Sequence, residues 1–267
     1  MGVEQRIIIP KTIHYCWFGK GPLPSLALKC IDSWKKFLPD YEIKEWNEDN
    51  YDVRANSYIA EAYDKKKYAF VSDYARFDIL FKYGGVYFDT DVEVIKDLTP
   101  IVEQGAFIGV ENAGAINAGL GMASPASMEI FDEIINSYND EHFVNVDGSL
   151  NLITIVTRVS DIFANYGFVN ENIIQDIKGI RVYPTEYFCP KDYKTGVLNI
   201  TDNSYTIHHY DGSWCTEAQK KYDKQRYNLV KKYGKLWKIF AFFPFCIWQI
   251  KDHGIKGLFK YFHDKIV

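Results

Sequence analysis

Residues 69–91 have the sequence AFVSDYARFDILFKYGGVYFDTD. Apolar side chains recur at helical spacing from Phe70 onward, which predicts an amphipathic helix over 72–83. The glycine pair at 84–85 predicts the end of that helix. The next run, 86–94, is rich in β-branched and aromatic residues and predicts a strand. The stretch therefore predicts a helix, a glycine turn and a strand in succession.

Two carboxylates fall within the predicted strand. Side chains at i and i+2 of a strand share a face, so Asp89 and Asp91 are expected to converge while Thr90 faces away. Two converging carboxylates suit a hard divalent cation. Magnesium or manganese in such a site is usually completed by substrate phosphates. The pattern predicts a metal and diphosphate site.

An acid and a base lie on the preceding helix. Asp73 and Arg76 are three residues apart, so they are expected to pair or to point into the same cleft. Arg76 suits phosphate or sugar hydroxyls, and Arg76→Lys is expected to weaken donor binding with little change in stability. An Asp-x-Asp triplet alone is weak, because solvated charges at a strand end have the same pattern. Its position after the helix and the glycines adds specificity.

Three blocks together resemble a known family. They are IPKTIHYCWFG at 9–19, the central block at 69–91, and HHYDGSW at 208–214. In this order they resemble the glycosyltransferases with an Asp-x-Asp (DXD) sugar-binding region. That group includes yeast initiating mannosyltransferases, bacterial capsule transferases and, more distantly, clostridial glucosylating toxins.

The resemblance implies an α/β GT-A fold, a Rossmann-like mixed, mainly parallel sheet flanked by helices. It also implies a nucleotide-sugar donor, with a UDP-sugar expected, and Mn²⁺ or Mg²⁺ as cofactor. The expected acceptor is a saccharide or lipid-linked glycan in capsular or cell-surface polysaccharide synthesis. The implied catalytic set is Asp89, Asp91, Asp73 and Arg76. Retention of anomeric configuration is implied, by a covalent intermediate or by same-face attack.

Other residues of the first half are candidates for substrate contact. The resemblance implies that Trp17 lines the nucleobase pocket, although a buried structural tryptophan is an equal alternative. Glu111, Asn112 and Asn117 follow a predicted strand and are expected to face the transferred sugar or to serve as turn residues. His14 is expected to be a core histidine with satisfied hydrogen bonds.

The third block has an implied role at the phosphates. In the family the last loop of the catalytic domain closes over the diphosphate, here resembling His208, His209, Ser213 and Trp214. We favour His209 as a metal ligand, with Ser213 or Trp214 donating to a phosphate oxygen. The alternative is that His208 continues a strand while His209 is only exposed at the surface.

Composition sets the broad class. The chain has 267 residues, 47% hydrophobic and 25% charged, enough for one substantial α/β core. The five cysteines are odd in number and lack CxxC spacing, which favours a reducing compartment. The first residues lack an apolar signal region, so a cytoplasmic location is expected, either free or peripheral on the membrane. The acidic balance before the tail argues against nucleic-acid binding.

Strand and helix patterns alternate along the chain, as in an α/β sandwich. We expect a catalytic domain over 1–217 and a basic, aromatic-rich helical segment over 218–267. The expected strands are 13–18, 41–46, 106–111, 180–183 and 205–208, and the expected further helices are 25–37, 128–138 and 150–166.

The C-terminal segment reverses the charge balance. From Gln219 onward there are 12 Lys and Arg against 3 Asp, a net of +9, whereas the preceding residues carry a net of −13. Within it, 236–250 is apolar but contains Lys238 and Pro244 and falls short of the roughly 20 residues that span a bilayer. This composition predicts an interfacial anchor on an anionic membrane. The alternative is that its aromatics pack on the catalytic domain.

Two other classes compete with a transferase. A catalytically silent relative would keep the fold and bind a nucleotide sugar, yet Asp73, Arg76, Asp89 and Asp91 are all present. A two-metal phosphohydrolase needs further ligands, and no additional Asp/His cluster surrounds Asp89 in the sequence.

Overall fold

The computed structural model describes residues 8–111, 114–212 and 215–264. The chain divides into two compact units. The first comprises Met1–Lys191 and Asn199–His209, and the second comprises Asp192–Leu198 and Tyr210–Val267. The predicted division into a catalytic domain over 1–217 and a C-terminal segment over 218–267 stays a prediction.

The first unit is built on a seven-stranded sheet and a two-stranded sheet. The strands are β1 (Thr12–Cys16), β2 (Glu42–Trp46), β3 (Gly85–Tyr87), β4 (Val92–Val94), β5 (Phe107–Val110), β6 (Ile116–Ser124), β7 (Gln175–Ile177), β8 (Ile180–Tyr183) and β9 (Thr206–His208). The large sheet has the order β2-β1-β3-β6-β5-β8-β7, and β4 pairs with β9.

Strand direction follows from the pairings. β1 is parallel to β2 and β3, and β5 is parallel to β8. β6 is antiparallel to both β3 and β5, and β7 is antiparallel to β8. Five strands of the large sheet therefore point the same way and two oppose them. This confirms the predicted mixed, mainly parallel sheet.

Helices connect these strands. The first unit contains α1 (Ser25–Phe37), α2 (Ser57–Asp64), α3 (Tyr68–Tyr83), α4 (Thr99–Val102), α5 (Glu129–Asn136), α6 (Ile155–Ala164) and α7 (Thr185–Phe188). The second unit contains α8 (Glu217–Tyr233), a 3-10 turn (Gly234–Leu236) and α9 (Trp237–His263). None of the helices in the described part of the chain is long and apolar enough to cross a membrane.

Helix α3 differs from its prediction in one respect. Every residue from Tyr74 to Leu80 is buried, so this helix is enclosed on nearly all sides rather than amphipathic. Gly84 ends it with φ 63°, and its N–H donates to the carbonyl of Leu80 at 2.8 Å. A Cβ on Gly85 would lie 2.7 Å from the carbonyl oxygen of Thr12, so the close approach of β3 to β1 requires glycine.

The predicted strand over 86–94 is wrong as a single element. β3 ends at Tyr87, and β4 begins at Val92 in the other sheet. A turn connects them, with the N–H of Val92 donating to the carbonyl of Asp89 at 3.0 Å. The two aspartates therefore lie in a turn where the chain changes sheets.

His14 is a satisfied core residue, as predicted. It is 2% exposed, and its Nδ1 is 3.0 Å from the indole Nε1 of Trp46. Because an indole nitrogen only donates, Nδ1 accepts and Nε2–H donates to the carbonyl of Gly84 at 3.0 Å. Burial lowers the pKa of His14 to about 4. The ring is therefore neutral at neutral pH.

Candidate functional site

The site lies where three parallel strands end. Trp17 follows β1, Asn47 follows β2, and Asp89 follows β3 by two residues. β1 lies between β2 and β3 and is parallel to both, so these three ends meet at one edge of the sheet. Ligands of open α/β sheets gather outside the carboxyl ends of the strands.

Three potential metal ligands converge at this edge. One carboxylate oxygen each from Asp89 and Asp91 and one ring nitrogen of His208 all lie within 4.8 Å of one another. His208 Nε2 is 3.2 Å from Asp91 Oδ1. Two carboxylates and an imidazole suit a divalent transition metal such as manganese. The residues present therefore fit the cation that the sequence predicted.

The small sheet brings His208 to the aspartates. β9 is antiparallel to β4, with His208 opposite Val92, the residue directly after Asp91. Thr206 shares the face of His208, and its hydroxyl donates to the carbonyl of Phe188 at 3.0 Å. Burial acts to lower the pKa of His208, but the hydrogen-bonded Asp91 carboxylate together with Asp89 and Glu111 outweighs it and raises the pKa above its usual value.

His209 has a different environment from the one that we favoured from the sequence. Its Nε2 lies 2.7 Å from Glu93 Oε2, and Glu93 also contacts Lys29 Nζ at 2.8 Å. Only the backbone of His209 reaches the aspartate turn, where its N–H donates to the carbonyl of Asp91 at 2.9 Å. Because the His209 ring is held at Glu93 while the His208 ring lies against Asp91, the two imidazoles do not converge on the same point.

Arg76 connects the helix to the aspartate turn. Its Nη2 lies 2.9 Å from Asp73 Oδ1 and 3.2 Å from Asp89 Oδ1. Its Nε donates to the carbonyl of Ser72 at 3.1 Å, and the guanidinium lies 5.0 Å from the centre of the Tyr87 ring. The side chain is only 5% exposed. These contacts make Arg76 a fixed brace for the Asp89 carboxylate.

The acid groups around Arg76 are held in an enclosed environment. Burial raises the pKa of Asp73 to about 6; Arg76 acts in the opposite direction and Asp89 reinforces the rise. The hydroxyl of Tyr87 donates to Asp89 Oδ1 at 3.0 Å. Asp89 Oδ1 therefore contacts both the Arg76 guanidinium and the Tyr87 hydroxyl, and these two contacts fix the orientation of the carboxylate.

Strand β6 forms the floor beneath Asp89. Asn117 donates through Nδ2 to Glu111 Oε2 at 2.9 Å, and its Oδ1 accepts from the N–H of Gly119 at 2.8 Å. The carbonyl of Gly119 accepts from the N–H of Asp89 at 3.1 Å. A Cβ on Gly119 would lie 2.0 Å from Asp89 Oδ2, so a larger residue would displace the carboxylate. Asn112 lies outside the described residues.

A cavity of about 340 Å³ opens beside Trp17 at the same sheet edge. The indole Nε1 donates to the carbonyl of Gly21 at 2.7 Å, which fixes one edge of the ring. The cavity is lined by Trp17, Lys20, Gly21, Glu45, Asn47, Glu48 and Asp49. Trp17 thus lines a pocket large enough for a small ring system. Ser213 and Trp214, the other predicted donor contacts, lie outside the described residues.

Residues 24–108 match the model of the "glycosyltransferase sugar-binding region containing DXD motif" family. This segment, about a third of the chain, is similar to that family's sugar-binding region. The matched segment includes Asp73, Arg76, Asp89 and Asp91. The fold brings these four residues together around the Arg76 guanidinium and the aspartate turn. It confirms the resemblance predicted from the sequence.

Two curated relatives come from Schizosaccharomyces pombe. Inositol phosphoceramide mannosyltransferase 3 is 31% identical over 109 residues, covering 39% of this chain and 30% of the relative. Inositol phosphoceramide mannosyltransferase 1 is 24% identical over 191 residues, covering 66% of this chain and 56% of the relative. The chain thus matches about a third of one relative's length and somewhat over half of the other's.

A solved structure is also similar. It is described as the galactosyltransferase LgtC in complex with donor and acceptor sugar analogs, and it is 12% identical to this chain. The similarity covers 85% of this chain and 99% of that chain, with a TM-score of 0.44.

Two members of the site, Tyr87 and Gly119, were not identified from the sequence, and a third, His208, was named as a candidate but not favoured as the metal ligand. His208 was passed over for its neighbour, although alternation through Tyr205-Thr-Ile-His was a signal that Thr206 and His208 share a face. Gly119 had no recognisable pattern, because its contact with Asp89 depends on where β6 lies in the fold. Tyr87 is only two residues before Asp89, but an aromatic residue in a strand gave no signal that its hydroxyl donates to this carboxylate.

Proposed function

We propose that this protein is a metal-dependent glycosyltransferase that moves a sugar from a nucleotide-sugar donor to a saccharide acceptor. The observation that carries the proposal is the convergence of His208 on Asp89 and Asp91, the two aspartates of the segment that matches the DXD sugar-binding family. Such a ligand set, beside a pocket at the carboxyl ends of parallel strands, suits a diphosphate and its counter-ion.

Each part of the site has a role in this proposal. Asp89, Asp91 and His208 would hold Mn²⁺, or Mg²⁺, which would neutralise charge on the departing diphosphate. Imidazole among the ligands favours manganese over magnesium. Trp17 would stack on the nucleobase in the adjoining pocket. Arg76 fixes Asp89, and Asp73, which is paired with Arg76, would bind hydroxyls of the donor sugar.

Donor and acceptor are proposed as classes. We expect a UDP-sugar donor and retention of anomeric configuration, as inferred from the resemblance, with a cell-surface or lipid-linked glycan as acceptor. The two Schizosaccharomyces pombe relatives are named as mannosyltransferases, so mannose is a sugar to test alongside glucose and galactose. The configuration of the product is measured directly by NMR of the newly formed anomeric proton.

The experiment is a screen of UDP- and GDP-sugars for slow hydrolysis with Mn²⁺, with Mg²⁺ and with excess EDTA. Turnover of one donor that stops with EDTA is the expected result. Asp91→Asn should lose at least about 100-fold in rate, because removing a charged ligand weakens stabilisation of the leaving diphosphate. Asp202→Asn is a matched control, since Asp202 is exposed in a turn before β9.

Two outcomes would contradict the proposal. Turnover unchanged by EDTA or by Asp91→Asn would remove the metal from the reaction. Binding of a nucleotide sugar with no hydrolysis or transfer to any saccharide would favour the alternative, a silent binding relative. Calorimetry in the same buffers separates that case from a failure to bind any donor.

A further inference from the structure

The second unit contains a helix with two different faces. One face of α9 packs on α8 through aromatic rings: Phe245 and Trp248 lie 5.9 and 5.0 Å from the Tyr222 ring centre. Asp252, on the same face, accepts from the hydroxyl of Thr216 and from the Trp248 indole, both at 2.6 Å. Positions 245, 248 and 252 follow helical spacing. This face of α9 is therefore occupied within the unit.

The opposite face is an apolar stripe, defined as Ile239, Phe243, Ile247 and Ile250. These residues are spaced by four, four and three, so they form one line along the helix. They are 68%, 75%, 58% and 42% exposed. Single exposed apolar side chains are ordinary, but a continuous row of large ones marks an interaction surface.

The end of α9 adds more apolar surface. Gly254, at φ 69° and ψ 177°, breaks the helix, and the segment beyond it packs back on the first part. The Tyr261 ring lies 4.9 Å from that of Phe245, which fixes the returned segment. Ile255 and Phe259 on this segment are nevertheless exposed. The helix break thus leaves additional large apolar side chains at the surface.

The charges of the unit are arranged to leave a positive surface. Asp252 is turned toward α8, and Asp223 is paired with Arg226 at 2.7 Å, both partners being largely buried. Two of the three acidic groups after residue 218 are thus satisfied internally. The exposed charges on and beside α9 are mainly lysines, namely Lys235, Lys238, Lys251, Lys256 and Lys260, and Asp264 at the end of the helix is an exposed acidic group. An apolar row accompanied by lysines is typical of a helix that lies in a membrane interface.

We propose that the α9 stripe docks on an anionic lipid surface, with its apolar side chains among the acyl chains and the lysines at the headgroups. A second copy of this chain fits less well, because pairing of two stripes would bring the same lysines together. Each basic residue at an anionic surface contributes a factor of about fivefold in partitioning. The attachment is therefore expected to be sensitive to salt. This proposal is independent of the proposed reaction.

The test uses the full chain and sedimentation with liposomes. Vesicles contain phosphatidylcholine alone or a mixture of phosphatidylcholine and phosphatidylglycerol. We expect binding to the mixed vesicles only, reduced at least about tenfold between 0.1 and 0.5 M salt because surface charge is screened. The double variant Phe243→Ser/Ile247→Ser should bind at least about tenfold more weakly, since two large apolar groups no longer enter the acyl region.

Matched controls separate the stripe from general surface apolarity. Val146→Ser/Leu152→Ser removes two exposed apolar residues of the first unit and should leave lipid binding unchanged. A second variant, Lys251→Gln/Lys256→Gln, tests the charge without altering the apolar row. It should weaken binding at low salt by about tenfold or more. Circular dichroism of every variant checks that the helices remain.

Several results would overturn the proposal. Failure of the folded wild-type chain to bind anionic vesicles is one. Equal losses in the stripe variant and in the control variant would show that no particular face is used. Light scattering is the third measurement: a wild-type dimer that the stripe variant converts to a monomer would show that a second copy covers the stripe instead. If the stripe variant fails to fold, unchanged lipid binding by the lysine variant would equally overturn the proposal.

Discussion

Replacement of Arg76 by lysine is the sharpest test of the central network. The guanidinium contacts Asp73 and Asp89 and donates separately to the carbonyl of Ser72. Lysine keeps the positive charge but offers one compact ammonium in place of a planar fork. It is therefore expected to keep one carboxylate contact and to lose the other, together with the bond to the backbone.

The magnitude follows from burial. The sequence alone predicted little effect on stability, but the side chain is only 5% exposed. Hydrogen bonds to charged groups contribute about 1.5–3 kcal/mol, and retention of the charge avoids the larger cost of an unpaired buried carboxylate. We expect a loss of about 2–3 kcal/mol, which lowers Tm by about 5–10 °C in a protein of this size.

Two measurements on Arg76→Lys test this reasoning. Thermal unfolding should show the lower Tm, and Mn²⁺ titration should show weaker binding because Asp89 is no longer held. Arg54→Lys is the matched control, since Arg54 forms a similar fork with Asp64, at 2.9 and 2.6 Å, on the exposed surface. The control should leave Tm and Mn²⁺ affinity unchanged. An Arg76→Lys protein with wild-type Tm and wild-type Mn²⁺ affinity would refute the bracing role.

Three further predictions concern single residues. His208→Asn should lower Mn²⁺ affinity at least about tenfold, and His209→Asn should lower it much less, because the His208 ring faces the aspartates and the His209 ring faces Glu93. Calorimetry that shows the reverse order would restore His209 as the ligand. Gly119→Ala should also weaken Mn²⁺ binding at least about tenfold, since its Cβ would displace Asp89, and calorimetry showing wild-type affinity would count against this close contact. The folded-state pKa of His14 is lowered to about 4, so the unfolded chain takes up the proton first as pH falls. The contribution of His14 to stability should fall by about 3 kcal/mol between pH 6.5 and 4, whereas Asp73, whose pKa is raised to about 6, contributes in the opposite direction over this range. The difference in urea-unfolding free energy between the wild type and His14→Gln should therefore change by about 3 kcal/mol over this range, and a constant difference would contradict the prediction.

The sequence predicted the fold class because several elements carry a clear local signal. Helix α1, at Ser25–Phe37, and strand β8, at Ile180–Tyr183, have the predicted bounds. Strand β6 was not predicted, although it is the longest strand of the sheet. Its sequence, INAGLGMAS, is rich in small residues and has no alternation, because it is buried along its whole length between two neighbours. Local pattern carries little information about such a strand.

The site was predicted in its residue types more than in its geometry. Asp89, Asp91, Asp73 and Arg76 are brought together, and these four share a short segment. Whether Arg76 contacts a substrate or braces a carboxylate depends on its burial, which the spacing of three residues does not reveal. The choice between neighbouring histidines likewise depended on the register of β9 against β4.

The chain changes sheets after Tyr87. This explains why the site combines aspartates from an early part of the sequence with a histidine from a late part. If β3 continued through the aspartates, Asp89 and Asp91 would share one face of the strand. Its neighbour would then be β6, whose residues beside the aspartates would be Asn117 and Gly119 rather than a histidine. Because the chain leaves the large sheet, Val92 instead pairs with β9 and His208 arrives next to Asp91. The turn at Asp89–Asp91 is therefore the element that joins an early DXD segment to a late histidine, and a candidate metal site of three potential protein ligands is its direct consequence.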